Sequence, residues 1–337
     1  KMKVNRNSRT LEPEESRDLS IRVAEAFHPR APISAKELFA GRRQQITVIA
    51  DAVSQTGLHL VIFGERGVGK TSLANVIEPF LNVAGKTISA RMLECRLVVK
   101  VNTHQRGSFE SIWRRAFDEV SWSEDGPTTA FGPIVVAETI TLRKRFNIPD
   151  EPSIDDVRRL LAVLPRSVFI FDEFDRSPAG AGQQMTDLIK ALSDYAVNSS
   201  VVLVGVSSTI DALVCDHASI VRSIVQVHLP RMTERALKNI LDRAAAVLDV
   251  EFTDDASRLI VRMSQGLPHY THLIGLNATR RAVERFSRRI EVTDVQHSFE
   301  MTGQQIPQSG AVSEPPREFC KPNQRTPAAM TEASTTR

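Results

Sequence analysis

The run His59-Leu60-Val61-Ile62-Phe63-Gly64-Glu65-Arg66-Gly67-Val68-Gly69-Lys70-Thr71-Ser72 constrains this chain more than any other stretch. An apolar segment rich in β-branched residues leads into three closely spaced glycines, and Lys-Thr-Ser then opens a helical pattern. The spacing is that of the phosphate loop G-x-x-x-x-G-K-[ST], and the flanks supply the strand and helix that the loop requires. Glycines at 64, 67 and 69 let the backbone curl with its N–H groups pointing inward, while the start of the helix adds partial positive charge at the same point. Gly64, Glu65, Arg66, Gly67, Val68, Gly69, Lys70, Thr71 and Ser72 are therefore the expected phosphate cradle. Lys70 is placed to reach the β/γ-phosphates and Thr71 to hold Mg²⁺ through its hydroxyl.

A loop of this kind belongs to a parallel sheet, and the other strands are readable. Five short apolar runs, at 58–63, 97–102, 167–172, 201–206 and 224–229, alternate with helical patterns. Strands that are apolar throughout are covered on both faces, which predicts a three-layer α/β domain with a parallel five-stranded sheet over 31–230. Residues 1–30 read as a polar N-terminal extension containing one amphipathic segment, 19–27, suited to docking as a helix. About 65 residues separate the second and third strands, more than one crossover helix needs. They read as a helix over 108–120, a Gly/Pro-interrupted loop over 121–133, a helix around 134–146 and another over 154–164. From 231 to 300 the apolar spacing is helical at 236–248, 256–264, 270–286 and 292–299, which predicts a small all-helical second domain. Residues 301–337 hold five prolines and little apolar periodicity, the composition of a disordered tail.

Composition narrows the partners only slightly. With 43 Lys and Arg against 40 Asp and Glu the chain is mildly basic, which neither demands nor excludes an anionic polymer. No run of eighteen apolar residues exists and the N-terminal residues are charged, so a cytoplasmic protein without a membrane partner is expected. Cys95, Cys215 and Cys320 are far apart, which indicates neither a disulfide framework nor a zinc site.

The third strand runs directly into Asp172-Glu173-Phe174-Asp175. Carboxylates at the carboxyl end of a buried parallel strand lie where such sheets bind ligands. Asp172 is placed to hold the Mg²⁺ shell, and Glu173 to polarise the water that attacks a γ-phosphate.

The phosphate loop and acidic pair, with four further segments, resemble the AAA+ ATPases, and within them the branch of origin-recognition initiators and transposition-regulator ATPases. The resemblance covers approximately residues 31–300 and implies a P-loop AAA+ domain followed by an all-helical lid. Ile33-Ser34-Ala35-Lys36-Glu37-Leu38-Phe39-Ala40-Gly41-Arg42 is similar to the F-x-G-R box of that branch, implying that Phe39 and Arg42 contact adenine. Gly205-Val206-Ser207-Ser208-Thr209 ends the fourth strand where the family has a polar sensor, which implies a catalytic role for Ser208 at the γ-phosphate or its attacking water. His217-Ala218-Ser219-Ile220-Val221-Arg222-Ser223 precedes the fifth strand, where the resembling proteins project an arginine into a neighbour's site, implying that role for Arg222. Gly266-Leu267-Pro268-His269-Tyr270 matches the second sensor turn, with His269 where the family often has arginine. A histidine of ordinary pKa is mostly neutral at pH 7 and helps a γ-phosphate weakly.

What the resemblance implies is an ATPase that uses ATP and Mg²⁺ and assembles as a ring or filament whose ATP state controls partner binding. Its expected partners are itself, an effector or DNA-processing protein, and double-stranded DNA. A DNA-associated regulator in replication, transposition, mobile-element or phage-defence systems is the first expectation, and a switch that gates a partner protein without touching DNA is the alternative. Arg280, Arg281, Arg285, Arg288 and Arg289 stand against one acid, Glu284, on an expected helix, and Arg143-Lys144-Arg145 forms a second cluster. Helical spacing would put Arg281, Arg285, Arg288 and Arg289 on one side, as an anion-facing stripe or as a solvated face.

Overall fold

The computed structural model describes residues 10–29, 42–81, 87–88, 97–105, 107–123, 139–206 and 220–302, with 87–88, 123, 139, 179 and 299–302 described by backbone alone. The five expected strands are present as His59–Phe63, Leu97–Asn102, Ser167–Asp172, Ser199–Gly205 and Ile224–His228. They lie in the order second, third, fourth, first, fifth, every neighbouring pair parallel. A sheet of this kind brings all its carboxyl ends to one edge, where ligands bind. The fourth strand stands between the first and the third, so the phosphate loop and the acidic pair flank its exit.

Alternation along each strand divides the side chains between two cores. On one face the helices Arg43–Val53 and Lys70–Phe80 bring Ile49, Val53, Leu73, Val76 and Ile77 against Leu60, Ile62, Val168, Ile170, Val202 and Val204. On the other face the helix Phe109–Asp118 inserts Trp113, its ring centroid 5.2 Å from that of Phe169 and 5.0 Å from that of Phe171. Burial of each such side chain stabilises the layer by about 1.5–3 kcal/mol.

The expected loop from 121 and the expected helix around 134–146 are corrected by the structure. Ser121–Ser123 is a strand, paired antiparallel with Thr139–Thr141 and parallel with Thr87–Ile88, and the helix covers only Leu142–Arg145. Residues 124–138 lie outside the described residues. Thr139-Ile140-Thr141 is β-branched at every position and fits a strand better than a helix. The Thr141 hydroxyl then accepts the Lys144 N–H at 3.4 Å, which starts the helix there. Trp122 packs edge-on to Phe146 at 5.5 Å.

Beyond the sheet, the helices Glu234–Leu248, Asp254–Ser264, Pro268–Glu284 and Val292–Thr302 form a bundle. Thr233 and Thr253 cap the first two by accepting N–H groups at 3.2 Å. A two-residue parallel ladder, Glu251–Phe252 with Arg289–Ile290, ties the bundle's edge. The N-terminal helix Pro13–Ala26 packs into this bundle, where Leu19, Val23, Ala26 and Phe27 share a core with Leu237, Leu241, Ile274 and Ala278. Gly275 makes that docking possible: a β-carbon there would stand 2.6 Å from the Phe27 ring. Of the expected tail, 303–337 lies outside the described residues.

Candidate functional site

The first strand delivers the chain to Gly64, where a β-carbon would meet the Leu229 carbonyl oxygen at 2.4 Å, so the loop passes directly against the exit of the fifth strand. The loop then turns through Gly67 and Gly69, at φ 83° and 96°, into the helix that begins at Lys70. Lys70 Nζ donates to the carbonyls of Gly64 at 2.9 Å and Glu65 at 2.8 Å. Burial lowers the Lys70 pKa, while Asp175 and Asp172 oppose that shift. Exchanging neutral carbonyls for phosphate oxygens would replace ordinary hydrogen bonds with charge-assisted ones.

Thr71, one residue on, donates its hydroxyl to Asp172 Oδ1 at 3.4 Å. Asp172 is buried, and the same oxygen accepts the Glu173 N–H at 2.9 Å. Lys100 Nζ stands 2.9 Å from Asp172 Oδ2. The Asp172 carbonyl accepts both the Thr103 N–H, at 2.8 Å, and the Thr103 hydroxyl, at 2.9 Å. Glu173 is left-handed, φ 56°, a conformation that costs a non-glycine residue energy and gathers at functional sites. Its Oε2 lies 2.9 Å from Arg176, and both side chains are about half exposed. A cavity of about 200 Å³ is lined by Lys70, Thr71, Asp172, Glu173, Asp175 and Arg176, with Arg66, Gly67 and the exit of the fourth strand.

Two clasps hold the loop to its surroundings. Arg42, also left-handed at φ 64°, donates to the carbonyls of Val68 at 3.2 Å and Pro230 at 2.6 Å, and burial lowers its pKa. Arg231 is 2.9 Å from Glu65 and donates to the Gln265 carbonyl at 3.3 Å. That second clasp seats the 266–270 turn over the loop. A methyl group at Gly67 would be 3.9 Å from His269 Cβ, and one at Gly69 would be 3.9 Å from Pro268.

The structure thus gathers Gly64 through Ser72, Arg42, Asp172, Glu173 and His269 in one place. Arg222 is not gathered with them. It is exposed in the turn Val221–Ser223, ahead of a strand whose first residue, Ile224, is in register with His59, so it stands at the sheet edge away from its own phosphate loop. Phe39 and Ser208 lie outside the described residues.

The arginine stripe expected on one helix is corrected. The helix ends at Glu284, Phe286 turns left-handed at φ 59°, and Arg289 enters the short ladder, so Arg281, Arg285, Arg288 and Arg289 share no helical side. Three of them are ion-paired within the chain. Arg285 is 2.8 Å from buried Asp294, Arg281 is 3.0 Å from Glu284, and Arg288 is 3.5 Å from Asp249. In the second cluster Arg143 pairs with Asp118 and Asp150, and Arg145 lies over the Trp122 ring. Lys100, Thr103, Arg176 and Arg231 are the site neighbours that sequence reasoning passed over. Lys100 carries a visible signal, as the one charge in the strand Leu97–Asn102, flanked by apolar residues from 97 to 101.

The sequence pattern of the family described as Novel STAND NTPase 1 matches residues 32–276, which takes in the loop, the acidic pair and the turn above them. The chain belongs to the novel STAND NTPase 1 family. No curated protein matches it in sequence. Among solved structures, this NTPase family member is similar to the ORC2 protein of Aeropyrum pernix in its ADPNP-ADP complexes, at 17% identity and TM-score 0.56, over 82% of this chain and 71% of that one. It is also similar to Aeropyrum pernix ORC1 in complex with DNA, at 14% identity and TM-score 0.53, over 78% of this chain and 65% of that one. The likeness to the Thermotoga maritima RuvB Holliday junction branch migration motor is looser, at 18% identity and TM-score 0.48 over 80% and 72% of the two chains, and nothing rests on it. At these identities the shared property is the fold alone, a three-layer α/β domain.

Proposed function

We propose that the chain binds ATP with Mg²⁺ at the 64–72 loop, hydrolyses it with Glu173, and uses the two states to control assembly and partner binding. The observation that carries the reading is the buried Asp172 carboxylate facing the Thr71 hydroxyl at the mouth of a complete phosphate loop. Hard oxygen donors of this kind suit Mg²⁺, which takes one or two carboxylates and fills the rest of its shell with phosphate oxygens and water. Thr71 and Asp172 would hold it, and when bound it would neutralise charge on the β- and γ-phosphates. Lys70 and the loop N–H groups would orient the phosphates, and His269 and Arg42 would bound the site from above and beside. Glu173 would take a proton from the water whose oxygen bonds to the γ-phosphorus as the bond to ADP breaks.

The position of Arg222 supports a shared site. An arginine at the far edge of the sheet does not reach its own loop, and in a ring or filament it would serve a neighbour's γ-phosphate instead. Phe39 and Ser208 complete the proposed set, at the adenine and the γ-phosphate respectively, by resemblance to the initiator and transposition-regulator branch. The structural likeness to an ORC protein in complex with DNA favours a DNA-associated regulator. The internal pairing of Arg281, Arg285 and Arg288 favours the second reading, a switch for a partner protein.

Calorimetry with ATP and Mg²⁺ tests the first step. Lys70→Ala should weaken binding about 100-fold while the protein remains folded, because it removes a charge-assisted contact of roughly 1.5–3 kcal/mol. Unchanged affinity would move the site elsewhere. Binding to duplex DNA across a salt series separates the two readings, since phosphate contacts give a steep negative slope and a protein-directed switch gives none.

A further inference from the structure

We infer that Lys100 is a positioning residue for the metal-binding carboxylate: it holds one oxygen of Asp172 so that the other stays turned toward Thr71. The inference rests on the nucleotide reading above and adds a residue to it.

Three observations meet at this point. Lys100 sits in the strand Leu97–Asn102, where every other residue from 97 to 101 is a buried apolar one, so the sequence spends a charge where packing calls for a hydrophobe. Its ammonium is 2.9 Å from Asp172 Oδ2 and donates to Asn75 Oδ1 at 2.6 Å, on the helix that begins at Lys70. The backbone of Asp172 is fixed from the same strand end by Thr103, whose N–H and hydroxyl both bond its carbonyl.

Physical consequences follow from the geometry of a carboxylate. Its two oxygens lie on opposite sides of one carbon, so a cation fixed on Oδ2 sets where Oδ1 points. Oδ1 accepts the Glu173 N–H at 2.9 Å and faces the Thr71 hydroxyl at 3.4 Å. Asn75 anchors the ammonium from the other side, which ties the orientation of Asp172 to the helix carrying Lys70 and Thr71. A buried carboxylate with no counter-charge is strongly disfavoured, and the Lys100 ammonium supplies that counter-charge to Asp172 from within the fold. Groups that orient metal ligands in this way typically change metal affinity by 10–100-fold when removed.

Mg²⁺ coupling is the measurement that isolates this role. The ratio of the ADP dissociation constants in EDTA and in saturating Mg²⁺ is read by calorimetry on the full chain, without reference to turnover. Lys100→Met should cut that ratio by about 10-fold or more, while ADP affinity in EDTA changes little. Lys100→Arg should restore part of it. Where Lys100→Met does not fold, Asn75→Ala leaves both charges in place and unties the ammonium, and it should cut the ratio by a smaller factor. A folded Lys100→Met protein with the wild-type ratio overturns the inference and makes Lys100 a structural ion pair, as does an unchanged ratio in Asn75→Ala if the first variant is lost. Wild-type protein that binds no ADP in either condition would instead overturn the nucleotide reading and the inference with it.

Discussion

The phosphate corner and the helical bundle use positive charge in opposite ways. At the corner, Lys70 hydrogen-bonds carbonyl groups of its own loop and borders a cavity. In the bundle, a denser run of arginines is met by Glu284 within the run and by Asp294 and Asp249 from other parts of the same bundle. The lesson is that cation density along a sequence does not locate an anion site. What locates it is a cation that borders open space and hydrogen-bonds neutral carbonyls, with carboxylates near it across the cavity but, among the described residues, none paired with it at contact distance.

The largest expected effect falls on the corner. Glu173→Gln should lower turnover by about 10²–10³-fold while ATP still binds and the fold is unchanged, because the proton acceptor is lost and its shape is kept. Mixing this variant with Arg222→Ala protein should restore part of the activity, since some interfaces would then join an intact Glu173 site to an intact Arg222. No recovery in mixtures shown by size-exclusion chromatography to contain both proteins would remove the shared-site model.

The mirror experiment is made in the bundle. Arg285→Ala leaves the buried Asp294 without its bidentate partner and should cost about 2 kcal/mol of stability, below the range for fully buried pairs because Arg285 is partly exposed. Denaturant titration reads the loss, and Kd for ATP should not move. A variant of normal stability that has lost DNA affinity would return this arginine to the category of anion contacts.

A smaller effect, shared by both regions, appears with acid. Burial lowers the pKa of His59, in the first strand, and of His272, in the bundle, to about 4. In the unfolded chain each takes its proton near 6.5, so the unfolded state binds more protons as pH falls below that value. The stability these neutral histidines contribute is fully present above pH 6.5 and is lost as pH falls toward 4, at up to about 1.4 kcal/mol per pH unit for each. Melting temperatures between pH 7.5 and 4.5 should show the decline, and His272→Leu should make it shallower. An equal slope in the variant would place the acid sensitivity elsewhere.

How far the sequence carried can be argued from the same two regions. The loop from Gly64 to Ser72 was readable because its contacts are between near neighbours in the chain, and the first, third and fourth strands because burial along their whole length leaves a nearly continuous apolar run. Asp172 was readable from its place at the end of such a run. Its partner Lys100 was not, since the pairing crosses from one strand to the next and no local spacing records it. Arg285 and Arg288 failed for the same reason: their carboxylates lie 9 and 39 positions away, and only the turn at Phe286 reveals that the helix has ended. The segment around Thr139-Ile140-Thr141 failed because its pairing partner decides between strand and helix.

The docking of Pro13–Ala26 into the bundle has a consequence for how the protein is made. Ser16 bonds the Val283 carbonyl across 267 positions, and Leu11 bonds the Phe286 carbonyl. A ribosome adding 5–20 residues per second therefore releases the first helix roughly 13–50 seconds before its binding surface exists. The sheet, whose strands end at His228, is complete before the bundle begins and can close on its own core first. During that interval the apolar side chains of Leu19, Val23 and Phe27, at the short helix and its end, lack the core they join in the finished fold and are open to chaperones or to misplaced contacts. Slowing synthesis would lengthen that exposure without altering the finished fold.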